Sequence, residues 1–372
     1  MEARQSLSHS TREQHEALAR PGRSRRHARS PGQIARRRTL ALGALLTVAA
    51  AIALVTLTTL HVIHLRGTST PPPLPPAVHH TRPGAATAQI SVRQVGTLAT
   101  AVADAPAQPL PGDGAIVFGG LDSANTPVDV EQSFDGTHTV TGGTLPAAVS
   151  GARAAHFGGS TYVFGGEGAS APTSDIVSIA AGGTGTIVSN LPQATTDAAI
   201  ARVGDTAYII GGSNGASDLA TIVAYTPSTG SRTVASLPQP LERAAGAALD
   251  GEVSVIGGAS GNATLDTIYR FDPASATVTR VGTLPVGLAN AAAVSSGSVI
   301  VIAGGARSVA GDQTNRIFSF DPATKAVHAV GVLPVAVSGA AAVGQTDGVL
   351  VIGGVQDDGQ TSDAIYRVRL NS

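Results

Sequence analysis

Six residues after a recurring leucine, this chain places Asp104, Gly151, Asp197, Arg243, Asn290 and Gly339, unlike groups at one repeated position. Carboxylates, a guanidinium and a carboxamide gathered at a common point could bind a polar ligand or exchange protons with it. Arg153 and Glu242 lie beside this set in the sequence. A second recurring place supplies Glu167, Asp218, Asn262, Arg307, Asp312, Asp357 and Asp358. Taken singly, these are solvated turn residues or strand caps. Taken together, Asp104, Arg153, Asp197, Glu242, Arg243 and Asn290 form a candidate ligand-binding mouth, with Glu167, Asp218, Arg307, Asp312 and Asp358 around it. No residue is assigned a catalytic role from the sequence.

Whether these groups meet depends on the elements that carry them. A Gly-Gly pair closes a short apolar run at Gly119, Gly165, Gly211, Gly257, Gly304 and Gly353, with successive intervals of 46, 46, 46, 47 and 49 residues. Leu-Pro recurs at Leu145, Leu191, Leu237, Leu284 and Leu333, always 20 residues before the first glycine of the next pair. Such a period means one supersecondary unit copied in series, because a single copy leaves its apolar face open to water.

In the unit that begins at Leu191, the pattern predicts strands at 198–203, 206–210, 221–225 and 231–236. Turns at Gly204-Asp205 and at Thr226 to Gly230 join them. Four antiparallel strands make a propeller blade. Alanines cluster on the first strand, where blades crowd around a central channel. Bulky residues such as Tyr208, Tyr225, Phe271 and Phe320 fall on the second and third strands, where blades diverge and the gap must be filled.

Two loops of each blade, before the first strand and after the second, open on one face, so the candidate groups can converge there. The last unit lacks a fourth strand, and Ile90 to Leu98 resembles one. It is expected to pair with Ala364 to Leu370, closing a ring of six and hiding the exposed edges. Asp129, Asp175, Asp266, Asn315 and Asp363 precede the third strands. Their side-chain oxygens are expected to accept backbone N–H groups and fix the loops. Asp357-Asp358-Gly359 reads as an Asx turn rather than a calcium loop.

A strand ending in Gly-Gly, a polar loop and an aromatic near Asp-Pro (Phe271-Asp272-Pro273, Phe320-Asp321-Pro322, and the degenerate Tyr225-Thr226-Pro227) resembles the Kelch repeat over about residues 89–372. The tryptophan usual on a Kelch fourth strand is absent, since the chain has no Trp. The resemblance implies an all-β, six-bladed Kelch-like propeller that binds ligands on its loop face. Similar propellers include copper radical oxidases, which need a cysteine joined to a tyrosine. This chain has no cysteine, which excludes that chemistry, disulfides and thiolate metal sites.

The segment ahead of the propeller bears on where it works. Residues 1–38 hold ten arginines against three glutamates, a disordered basic tail. Thr39 to Leu60 carries no charge and is long enough for a helix to cross about 30 Å of hydrocarbon. A transmembrane helix is expected at 39–65, with a Pro-rich linker at 66–88. Arg36-Arg37-Arg38 beside it orients the tail to the cytoplasm and the propeller outside. A signal peptide, cleaved to release the propeller, is the alternative.

Beyond residue 66 the chain has 13 Lys or Arg and 22 Asp or Glu, which argues against nucleic acid. No cofactor and no metal are expected. The aromatics all fall on strands, so no stacking platform is free for a lectin-like sugar site.

Two functions fit these residues. One is a membrane-anchored module that binds a protein or cell-envelope ligand. The other is an extracytoplasmic sugar-modifying enzyme of mutarotase or epimerase type. An acid and an arginine converging in a channel pocket would favour the enzyme, and a shallow rim without convergent charge the binding module.

Overall fold

Thr206–Ile210, a run of β-branched and aromatic residues, pairs with Ala199–Val203 across the Gly204-Asp205 turn. Its other edge meets Thr221–Thr226, which turns back into Gly230–Ser236. These strands match the expected ones to within a residue at each end. The computed structural model of the chain describes residues 90–370, which repeat this four-stranded sheet six times. Numbered along the chain, blade 1 spans 107–144, blade 2 153–190, blade 3 199–236, blade 4 245–283 and blade 5 292–332. Blade 6 combines 341–370 with 90–97.

Closure occurs where the sequence predicts it. Ile90–Thr97 lies antiparallel to Ala364–Leu370, from Ile90 opposite Leu370 to Thr97 opposite Ala364, with a bulge between Gln94 and Gly96. The other five blades carry a slip at the equivalent place, between third and fourth strands, as at Ile222/Val223. A bulge adds local twist. The expected basic tail, transmembrane helix and linker, at 1–38, 39–65 and 66–88, lie outside the described residues. Among the described residues no helix is long and apolar enough to cross a membrane.

The core sits between blades. Phe118, Phe134, Phe164, Tyr225, Phe271 and Phe320 are fully buried. Phe164 meets Tyr225 edge-on at 5.1 Å, and Tyr208 meets Phe271 edge-on at 5.2 Å, each pair spanning two blades. Small residues of the first strands, among them Ala154, Ala201, Ala247, Ala293 and Ala342, line the central channel.

The Gly-Gly pairs are the joints between blades. A Cβ on Gly165 would lie 2.1 Å from the carbonyl oxygen of Thr195 in the approach to the next blade, while the Gly166 N–H donates to that same oxygen at 2.9 Å. The first glycine also has φ +57°, which L side chains rarely adopt. The other five pairs repeat the joint, with N–H···O distances of 2.8–2.9 Å.

The expected role of Asp129, Asp175, Asp266, Asn315 and Asp363 is corrected. What holds the loop is a main-chain carbonyl: Asp129, Asp266, Asn315 and Asp363 accept from the N–H of Leu145, Leu284, Leu333 and Leu98 at 2.7–2.9 Å. Asp175 stands one residue out of phase, and Ser174 takes its place opposite Leu191. A main-chain bond does not depend on the side chain, and Ala220 serves equally well for Leu237. Asp358 does form the expected turn, accepting from the Gln360 N–H at 2.9 Å.

Candidate functional site

The repeated position six residues after each leucine forms a closed ring of hydrogen bonds. Each N–H donates to the carbonyl of the preceding blade: Gly151 to Asp104, Asp197 to Gly151, Arg243 to Asp197, Asn290 to Arg243, Gly339 to Asn290 and Asp104 to Gly339, at 2.7–2.9 Å. All six residues have φ between 50° and 65°. That left-handed backbone suits Gly, Asn and Asp and explains why they dominate the set. Arg243, at φ 56°, is the exception. A residue kept in a sparsely populated conformation is a pointer to function.

Beside each ring residue, the two loops of the blade pair through main-chain bonds, as Thr196 does with Ser213 and Glu242 with Ala259. Both loops therefore open on one face, around the mouth of a cavity of about 310 Å³. Its wall includes Asp104, Arg153 and Asn290, with Gln108, Arg202 and Ser295 further along the first strands.

The carboxylates lean over the glycines. A Cβ on Gly339 would come within 2.5 Å of Asp104 Oδ1, and one on Gly151 within 2.7 Å of Asp197 Oδ1 and 2.4 Å of Thr196 Oγ1. Arg243 Nη2 lies 3.2 Å from Glu242 Oε1, and its Nε lies 3.9 Å from Asp197 Oδ2. Arg153 is held across two blades, with Nε donating to the Ala198 carbonyl and Nη1 to the Ala152 carbonyl.

Charge is unevenly compensated at this mouth. Burial, and then the Asp197 carboxylate, push Asp104 up to about 7, against the pull of Arg153 and Arg243. Asp104 still keeps a partial opening toward the channel. Glu242 is also raised, by burial first, while Arg243 opposes and Asp197, Asp218 and Glu167 add to the rise. An acid titrating near 7 can both give and take a proton at neutral pH.

The structure thus brings Asp104, Arg153, Asp197, Glu242, Arg243 and Asn290 to the mouth. Glu167 and Asp218 stand just outside, with Asp218 Oδ2 accepting from the Gly261 N–H at 2.9 Å. Arg307 and Asp312 pair with each other at 2.5 Å on an exposed hairpin of blade 5, and Asp358 is exposed in its turn. Those three do not join the mouth cluster. Thr196, Gln108, Arg202 and Ser295 were not singled out from the sequence. The signal that could find Gln108, Arg202 and Ser295 is a polar side chain interrupting an otherwise small, apolar first strand. Among the described residues, no group of three or more His, Cys, Asp or Glu could hold a metal ion.

A ring of four-stranded sheets around a polar channel mouth defines a six-bladed β-propeller. The solved structure of YjhT is similar to this chain, with a TM-score of 0.64 at 15% identity, covering 72% of this chain and 95% of that one. No family model and no curated protein matches the sequence.

Proposed function

We propose that the channel mouth binds a small polyhydroxylated molecule of sugar size and exchanges protons with it, as a mutarotase- or epimerase-like enzyme. Asp104, in the cavity wall with Arg153 and titrating near 7 under burial and the charge of Asp197, is the observation that carries this reading. It is the convergence of acid and arginine that favours an enzyme over a shallow binding rim. A cavity of about 310 Å³ falls at the lower end of small-ligand sites.

In sugar-ring opening, one carboxyl protonates the ring oxygen while another takes the anomeric hydroxyl proton. The C–O bond breaks and recloses on the other face, and the protons return. Asp104 and Asp197 supply the acid and the base, and Nη2 of Arg153, the nitrogen that neither carbonyl engages, steadies an oxygen atom as charge develops. The propeller works outside the cytoplasm, tethered through residues 39–65, and the Kelch-like repeat is compatible with this reading.

Anomer or epimer exchange, followed by NMR over a panel of monosaccharides, tests it. Acceleration of one sugar, lost by about 100-fold or more in Asp104→Asn, is expected. No acceleration of any sugar would remove the reading.

A second reading, a protein or envelope ligand on the rim, is favoured by the hairpins of blades 4 and 5. They are stitched together by Thr264 Oγ1 donating to the Arg307 carbonyl at 2.9 Å. A pull-down that survives Asp104→Asn but is lost in Arg307→Ala/Asp312→Ala would support it.

A further inference from the structure

We infer that the outer strand of blade 2, Thr186–Asn190, pairs antiparallel with the same strand of a second copy of this chain, joining two propellers edge to edge. The contact lies on the outer wall of the ring and is independent of the channel mouth. Three observations lead to it.

The first is a difference among the six outer edges. The fourth strand of a blade has a free outer side, and its main-chain N–H and C=O groups are a template for another strand unless charge guards them. These strands align by the residue opposite the start of each third strand: Thr144, Asn190, Ser236, Thr283, Val332 and Thr97. Three or four residues before that mark, blades 3, 4, 5 and 6 expose Arg232, Arg280, His328 and Arg93. Blades 1 and 2 have Val140 and Ile187 there, 60% and 53% exposed, and Val188 beside Ile187 is 51% exposed.

The second observation names the occupant. When a strand pairs with its own copy about a twofold axis, each charge near the axis meets its like, so a neutral edge is required. Residues 176–196, which include both outer strands of blade 2, hold no charged residue and no histidine. Each of the other five described outer hairpins carries at least one Asp, Glu or Arg, as blade 1 does with Glu131 and Asp135. The edge of blade 1 is also partly taken. The Thr144 N–H donates to the Gly183 carbonyl at 3.1 Å, and the Thr144 carbonyl accepts from the Gly185 N–H at 2.8 Å. Blade 2 is thus left with the neutral, open edge, rich in β-branched side chains that pair well with one another.

The third is a buried acid that fixes this hairpin. Ile176, Ile222, Ile268, Ile317 and Ile365 fill the second place of five third strands, fully buried. Blade 1 has Glu131 there, equally buried, with Oε1 accepting from the Gly182 N–H at 2.8 Å and Oε2 without a partner. An unpaired buried carboxylate oxygen is unfavourable. What this acid accomplishes is to hold the glycine turn that leads into Thr186. A strand set in place before contact loses little freedom on pairing.

The pairing has a definite register signature. In one continuous antiparallel sheet the twofold axis stands perpendicular to the sheet, and one residue faces its own copy with Cα atoms about 4.5–5.5 Å apart, within reach of a disulfide. The residues on either side lie about 8 Å from their own copies, out of reach.

The chain has no cysteine, so single cysteines introduced into the full-length protein in detergent micelles test the inference. Among Thr186→Cys, Ile187→Cys, Val188→Cys and Ser189→Cys, one is expected to give a disulfide-linked dimer on mild oxidation while its sequence neighbours do not. Arg232→Cys and Thr233→Cys, at the equivalent places of blade 3, should give none. By sedimentation equilibrium, Ile187→Lys should weaken the dimer about 100-fold or more, and Thr233→Lys should leave it unchanged. A monomer at every concentration measured overturns the inference. So does a dimer that survives Ile187→Lys, or cross-linking that is equal at all four positions or equal on blade 3.

Discussion

Asp104 sits where two demands conflict. The ring asks for a left-handed backbone, which aspartate tolerates, and then holds its carboxylate out of water near Asp197. In the folded chain the group titrates near 7, above its ordinary 3.8. The folded state therefore binds the proton more tightly than the unfolded one, and stability is lost as the pH rises from about 4 to 7. Asp104→Asn removes that loss. Urea unfolding should find the variant more stable by about 2 kcal/mol at pH 8, a value discounted for partial solvent access, and little changed at pH 4. The choice of Asp and Asn at this position was visible in the sequence only as turn preference. Their real reason, a shared left-handed backbone, accounts for five of the six residues and leaves Arg243 as the exception. Its guanidinium is stabilised by Glu242, a neighbour in the chain that the sequence did put beside it.

Strand order within a blade was legible because it depends on local signals: β-branched runs, Gly-Asp turns and an unchanging 20-residue interval. The joints between blades were not, because they are made by main-chain groups that leave little mark on side-chain type. The Gly-Gly pairs were read as strand ends, and their second duty, making room for the carbonyl of the following blade, needs three dimensions to be seen. Asp175 shows the same limit, since a one-residue shift in loop length leaves it next to the position whose carbonyl holds the loop, which Ser174 occupies.

The site glycines yield a sharp comparison at this scale. Gly151→Ala places a methyl group on Thr196 and Asp197 at φ +61°, whereas Gly204→Ala, at φ +56°, meets nothing within 4 Å. Thermal melts should show Gly204→Ala costing about 1 kcal/mol and Gly151→Ala about 1–2 kcal/mol more, with ligand binding lost only in the latter.

At the level of the whole molecule, closure joins the first described strand to the last. Deleting residues 90–97 would leave Ala364–Leu370 as a bare edge and uncover Tyr366 and Val368, now buried. Light scattering and hydrogen exchange should report self-association and faster exchange in blade 6, while blade 3, across the ring, keeps its protection longest. The circle of main-chain bonds has one more effect. Because every N–H in it is committed to the carbonyl behind, no single blade can tilt outward without pulling on its neighbours around the whole circumference. The aperture is therefore of set calibre. Whatever enters the channel from this face is thereby selected by width, as by a gauge.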